Sequence, residues 1–151
     1  MTNEAVVLIC LDLSPAGDKV LKEGVALAMA LCVKVLLLHV AAPEPEFVGY
    51  DEDGPYTRDM RADELKAEHK RLGDLAAGLC TQGVEARALL VKGPTTAVIL
   101  EQAERHNARF VVVGSHGRGV LHRFLIGSTT DALLRQSTRT LVVVRAFEGE
   151  A

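Results

Sequence analysis

The chain has 151 residues, with 17 Lys and Arg against 20 Asp and Glu, a formal net charge of −3 and no Trp. This length fits a single domain over 1–151, able to bury about 70% of the surface that its unfolded form exposes. The acidic balance and an aromatic content of 4% argue against nucleic acid as a partner, and no apolar run approaches the ~20 residues that span a bilayer.

Ala5 to Leu11 is a continuous apolar run, as expected of a strand covered on both faces. It is too short for a signal peptide, and the polar Thr2, Asn3 and Glu4 precede it, so a cytoplasmic location is expected. Asp12-Leu13-Ser14-Pro15 ends the run. Ser14 suits an N-cap and Pro15 a first helical position, so a helix should follow with Val20, Leu21, Gly24, Ala28 and Leu31 inward. Val33 to Val40 reads as a second buried strand. Ala41 to Thr57, with three prolines and five acidic residues, reads as a long acidic surface loop. From about Arg58 to Cys80, Leu65, Leu72, Leu75, Ala76 and Leu79 recur at helical spacing.

Val84 to Val91 is the third expected strand. Gly93-Pro94 then turns into a helix reaching about Arg105, with Ala97, Ile99, Leu100 and Ala103 buried. Phe110 to Val113 is a fourth strand ending at Gly114. A short helix is expected from Thr129 to about Gln136, and Thr140 to Val144 forms a last strand. Strands alternating with helices imply an α/β fold: one doubly wound, five-stranded parallel sheet with helices on both faces, linked by right-handed crossovers. Cys10, Cys32 and Cys80 are too widely spaced for a zinc site or disulfide framework and read as small buried hydrophobes.

Doubly wound sheets bind ligands beyond the carboxyl ends of the strands where the winding reverses. With strand order 3-2-1-4-5, strands 1 and 4 meet there, which brings Asp12-Leu13-Ser14 beside Gly114-Ser115-His116-Gly117, with Val40 facing the same crevice. Gly114 and Gly117 would allow a positive φ and a close approach to a ligand. Gly127 precedes Ser128-Thr129-Thr130, whose N–H groups would start a helix and favour an anion. The competing reading is a capping box, Ser128-x-x-Asp131, that satisfies those groups internally. Neither a Walker loop nor a GxGxxG after the first strand is present.

Gly114-x-x-Gly117, nine intervening residues and then Gly127-Ser128 resemble the nucleotide-binding signature of the universal stress protein family, G-x2-G-x9-G-[ST]. The resemblance extends through Asp12, His39-Val40, Gly93-x-Thr95 and Val142-Val143-Val144. It implies an adenine nucleotide α-hydrolase-like fold and a stress-response regulatory or signalling module that binds ATP, ADP or AMP. By the same resemblance, the backbone of Val40 contacts adenine, and Asp12, Leu13 and Ser14 line the ribose side. Gly114, Ser115, His116, Gly117 and Gly119 belong to the loop around ribose and phosphates. Gly127, Ser128 and Thr129 match the phosphate turn, and Arg118 is read either as an added phosphate contact or as an exposed side chain. Many members carry a small residue where Leu13 stands, so Leu13 either crowds the ribose or turns into the core.

Three roles are open for Asp12: accepting hydrogen bonds from ribose hydroxyls, sharing a magnesium or manganese ion with phosphates, or bonding backbone N–H groups of its own turn. His116 and His122 flank the glycine loop, where titration or packing is open to them. His39 reads as a hydrogen-bonded core histidine. No nucleophile or general base stands out, and Ser128 lacks a nearby base, so nucleotide hydrolysis is expected to be weak at most. The apolar strand Thr140 to Val144 would lie at a sheet edge and invite a homodimer, the competing reading being that Ala146-Phe147 and the acidic tail cover it. The alternatives are a scaffold dimer without nucleotide and a slow metal-dependent nucleotide hydrolase. The physiological protein partner is not legible.

Overall fold

The computed structural model describes residues 4–41, 54–115 and 127–145, and for 54–60 the backbone only. The elements run β1 (Val6–Cys10), α1 (Gly17–Leu31), β2 (Lys34–Ala41), α2 (Gly54–Thr81), β3 (Ala86–Lys92), α3 (Thr95–Arg105), β4 (Ala108–Gly114), α4 (Ser128–Gln136) and β5 (Thr140–Val144). All five strands are parallel, in the order β3-β2-β1-β4-β5. This is the doubly wound sheet that the alternating pattern implies.

The uninterrupted apolar runs of β1 and β2 are explained by burial on both faces. Val7, Ile9, Val35 and Leu37 pack with Val20 and Ala28 of α1 and Leu72, Ala76 and Leu79 of α2. Leu8, Leu36 and Leu38 pack on the opposite face with Ile99 and Ala103 of α3 and Leu133 of α4. Helix α1 sits close to β1 at Gly24, where an added Cβ would stand 2.6 Å from Ile9 Cδ1.

Several local expectations are corrected. Ser14 does not cap α1: its hydroxyl donates to Asp12 Oδ1 at 2.6 Å, and the helix begins at Gly17 after a turn closed by Gly17 N–H to the Ser14 carbonyl. The nearby carboxylate competes for the serine hydroxyl, so the cap pattern is diverted. Helix α2 starts at Gly54 rather than Arg58, because a proline in the first turn leaves the helix intact. Residues 42–53 of the acidic segment lie outside the described residues. In α3 the buried set is Val98, Ile99, Gln102 and Ala103, whereas Ala97 is exposed. Ile99 and Ala103 are buried as expected and Leu100 is half-buried, while Val98 takes the place expected of Ala97 and closes over Gly93 (φ +148), where a Cβ would lie 2.9 Å from Val98 Cγ2. The cysteines are not all buried, since Cys32 and Cys80 are exposed. Cys10 is only partly exposed, and burial pushes its thiol up to about 12, which disfavours the thiolate.

At the amino-terminal end of the sheet, Arg139 grips Glu104 with two parallel bonds, Nε to Oε1 at 3.0 Å and Nη2 to Oε2 at 2.8 Å. Thr138 Oγ1 donates to the same carboxylate at 2.8 Å, and Arg139 Nη1 reaches Asn107 Oδ1 at 3.1 Å. The segment leading into β5 is thereby tied to α3 and β4. The hydrogen bonds from Arg139 and Thr138 hold the Glu104 carboxyl down at about 2, below its ordinary 4.5. A depressed carboxyl stabilises the fold above the unfolded value and loses that contribution as pH falls through the folded one. The stability gap between the native chain and Glu104→Gln should therefore be full above pH 4.5 and close between there and pH 2. Urea midpoints at pH 7, 4.5 and 2 measure it, and a gap that persists at pH 2 would count against the assignment.

Strand β5 forms one edge of the sheet. Val144 is buried, Leu141 and Val142 are half-buried, and Val143 is 37% exposed.

Candidate functional site

The winding reverses between β1 and β4, which pair directly in parallel. Above their carboxyl ends a cavity of about 390 Å³ opens, within the range of small-molecule sites. Its lining comes from three strand ends and four helices. The tip of β2 supplies His39, Val40 and Ala41, and β1 with its turn supplies Cys10, Leu11 and Asp12. Gly114 contributes from β4 and Gly127 to Thr130 from the start of α4. Gly17 and Val20 of α1, Thr95 and Ile99 of α3, and Arg61 and Glu68 of α2 complete it.

The β1 turn is built around one carboxylate. Asp12 Oδ1 accepts from Ser14 N–H at 3.0 Å and from Ser14 Oγ at 2.6 Å, so that oxygen is committed to the turn. Leu13 takes φ +60, which sends its side chain into the core at 6% exposure. Its carbonyl accepts from Arg71 Nη1 at 2.7 Å, which ties the turn to α2.

At the opposite side, Gly127 is the N-cap of α4 with φ −58 and ψ 151, and no side chain caps the helix. The capping-box reading of Ser128 and Asp131 is corrected: Ser128 is the first helical residue, and Asp131 Oδ2 accepts from Arg135 Nε at 3.2 Å. A charged i+4 partner on the solvent side holds the aspartate away from the helix start. The first-turn N–H groups have no partners within the helix itself and direct a partial positive charge along the axis. Gly127 N–H donates to the Ser115 carbonyl at 2.8 Å, and Thr130 Oγ1 donates to the Gly114 carbonyl at 2.8 Å. These two bonds fix the start of α4 against the end of β4. Gly114 itself stays in the ladder opposite Val144, and the described glycines with positive φ are Gly83 and Gly93, so the expected left-handed turn at Gly114 is not formed.

Of the residues read from sequence as site candidates, Asp12, Val40, Gly114, Gly127, Ser128 and Thr129 therefore meet around one cavity. Leu13, Ser14 and Ser115 support it without lining it: Ser14 braces Asp12, and Ser115 N–H donates to the Val144 carbonyl at 2.8 Å. His116, Gly117, Arg118, Gly119 and His122 lie outside the described residues. As for a cation at Asp12, the described residues contain no group of three His, Cys, Asp or Glu side chains able to hold a metal. Among the described residues no helix is long and apolar enough to cross a membrane.

Two charged cavity residues were not read from sequence as site residues, Arg61 and Glu68. Arg61, Leu65, Glu68 and Leu72 follow spacings of four, three and four, so the two charged residues occupy the apolar stripe of α2. A charge standing on that stripe was the available signal. His39 is the hydrogen-bonded buried histidine that was expected, at 8% exposure with Nδ1 donating to the Leu11 carbonyl at 2.8 Å. Its Nε2 lies 3.3 Å from Glu68 Oε2.

Comparison with known proteins agrees with this architecture. The model of the universal stress protein family matches residues 5–145. The universal stress protein A homolog 2 of Coxiella burnetii is 30% identical over 149 residues, covering 96% of this chain and 97% of its own length. A universal stress protein structure from Lactobacillus plantarum superposes with a TM-score of 0.74 at 21% identity, covering 94% of this chain and 98% of the other. The universal stress protein from Archaeoglobus fulgidus in complex with dAMP superposes with a TM-score of 0.64 at 19% identity, over 96% of this chain and all of the other (100%). The chain belongs to the universal stress protein family.

Proposed function

We propose that the cavity binds an adenine nucleotide, ATP or its di- or monophosphate, and that the protein acts as a nucleotide-responsive regulatory module. The observation that carries this reading is the order of chemistry along the cavity. A partly positive helix start stands at the β4 side, a carboxylate in the middle at β1, and the backbone edge of Val40 at β2. An anion is favoured at the α4 end. Asp12, with one oxygen held by Ser14, can accept ribose hydroxyls with the other. The base is left for β2, whose register with β1 ends at Leu38, two residues short of Val40. The dAMP carried by the Archaeoglobus relative supports the same ligand class.

No described side chain in the cavity pairs a nucleophile with a base, so the response is binding rather than fast turnover. A nucleotide that binds only the folded chain stabilises it by ~2.7 kcal/mol at 100 times Kd. Thermal denaturation with millimolar ATP, ADP, AMP and their magnesium forms is expected to show a rise in midpoint. An unchanged midpoint with all of them would sink the reading. The proposal includes a homodimer paired through β5, whose half-exposed apolar edge would be covered by a second copy. Sedimentation equilibrium at micromolar concentration is expected to give twice the chain mass.

A further inference from the structure

The base end of the cavity carries a carboxylate that the nucleotide reading has not used. Glu68 projects from α2 into the cavity lining, and its Oε2 is buried with no aligned hydrogen-bond donor among the described residues. The neighbouring His39 does not remedy this. A carbonyl can only accept, so the 2.8 Å contact from Nδ1 to the Leu11 oxygen places a proton on Nδ1 and fixes the ring. The other nitrogen, Nε2, is then held 3.3 Å from Oε2, an ion pair only when the ring carries a second proton, and outside hydrogen-bond alignment. His39 thus lies against Glu68 without filling its acceptor capacity. A buried carboxylate oxygen in that condition is costly unless a donor reaches it.

Position decides which donor. Helix α2 packs over β2 and β3, so Glu68 stands at the side opposite the anion-favouring start of α4. Glu68 repels phosphate and favours a neutral donor, while Arg61, the other charged residue that α2 brings to the cavity, is bonded to Glu64 at 3.2 Å. An adenine nucleotide presents neutral donors in its ribose hydroxyls, which the reading above gives to Asp12, and in the exocyclic amino group of the base, which is left for this end.

We propose that Glu68, beside His39, accepts a hydrogen bond from the 6-amino group and makes the site selective for 6-aminopurines. This rests on the adenine-nucleotide reading above. A 6-oxo group would set oxygen against carboxylate, and a purine lacking the 6-substituent would leave Oε2 unfilled.

Calorimetric titration of the full chain with ATP, GTP and purine riboside triphosphate tests this. The native protein is expected to bind ATP about ten-fold or more tighter than either analogue. In Glu68→Leu the ratio of ATP to purine riboside triphosphate should fall to about one, with Glu68→Gln, which keeps an acceptor oxygen, in between. Equal binding of the two by the native protein, tighter binding of GTP, or an undiminished ratio in Glu68→Leu would each overturn the assignment while leaving nucleotide binding intact. Failure of the native protein to bind any of the three would overturn both. Native discrimination is read without any variant, so a folding defect in Glu68→Leu does not shield the proposal.

Discussion

Gly24→Val is expected to destabilise the fold by about 3 kcal/mol, although glycine in a helix interior is by propensity alone a poor choice. Replacing it with another residue would ordinarily gain up to ~1 kcal/mol of helix stability. Here the contact distances decide against propensity. A Cβ at position 24 would stand 2.6 Å from Ile9 Cδ1 and 2.7 Å from Ile9 Cγ1. Ile9 is fully buried at 0% exposure between α1 and the sheet, so it has nowhere to retreat. Either α1 lifts off β1 or Ile9 leaves its rotamer, and both loosen packing shared with Val20, Ala28 and Leu37. For a chain of this size, ~3 kcal/mol corresponds to a fall in melting temperature of roughly 6–12 °C. Differential scanning calorimetry measures it, and Ile9→Ala in the same chain should relieve part of the clash. A Gly24→Val protein as stable as the native one would show that α1 does not sit as described.

Asp12→Ala is expected to weaken ATP binding by roughly ten- to a hundred-fold, the range for losing hydrogen bonds to a charged group. Since Oδ1 already serves the turn, control variants are needed to separate the two duties. Ser14→Ala removes one donor to Asp12 and leaves the carboxylate in place, so it should change affinity little. Asp12→Asn keeps an acceptor for ribose and should lie between the native protein and Asp12→Ala. If the carboxylate acts on ribose, the loss is the same with and without magnesium. A loss confined to magnesium-containing titrations would instead assign Asp12 to a cation shared with the phosphates.

The sheet was legible because fully buried parallel strands leave continuous apolar runs. Ala5 to Leu11 and Val33 to Val40 could hardly lie anywhere but inside a covered sheet. The place of the cavity was legible from winding alone, since β1 and β4 must meet where the direction reverses. Local polar choices were not. Ser14 fits a cap, but whether its hydroxyl turns to the helix or to Asp12 depends on the turn that Leu13 makes at φ +60. Ser128 and Asp131 fit a capping box, yet Arg135 takes the aspartate. The charged stretch of α2 hid the largest omission. Its exposed residues and the inward-facing Arg61 and Glu68 share one composition, and only their place on the Leu65–Leu72 stripe separates them.

The central claim is that an adenine nucleotide lies across the cavity with its base at β2 and its phosphates at α4. Photolabelling the native chain with 2-azido-ATP, followed by peptide mapping, tests both occupancy and direction. Label is expected on peptides containing His39 to Ala41 or Arg61 to Glu68, and excess unlabelled ATP should suppress it. Label concentrated on Ser128 to Thr130, or label that ATP does not displace, would contradict the account.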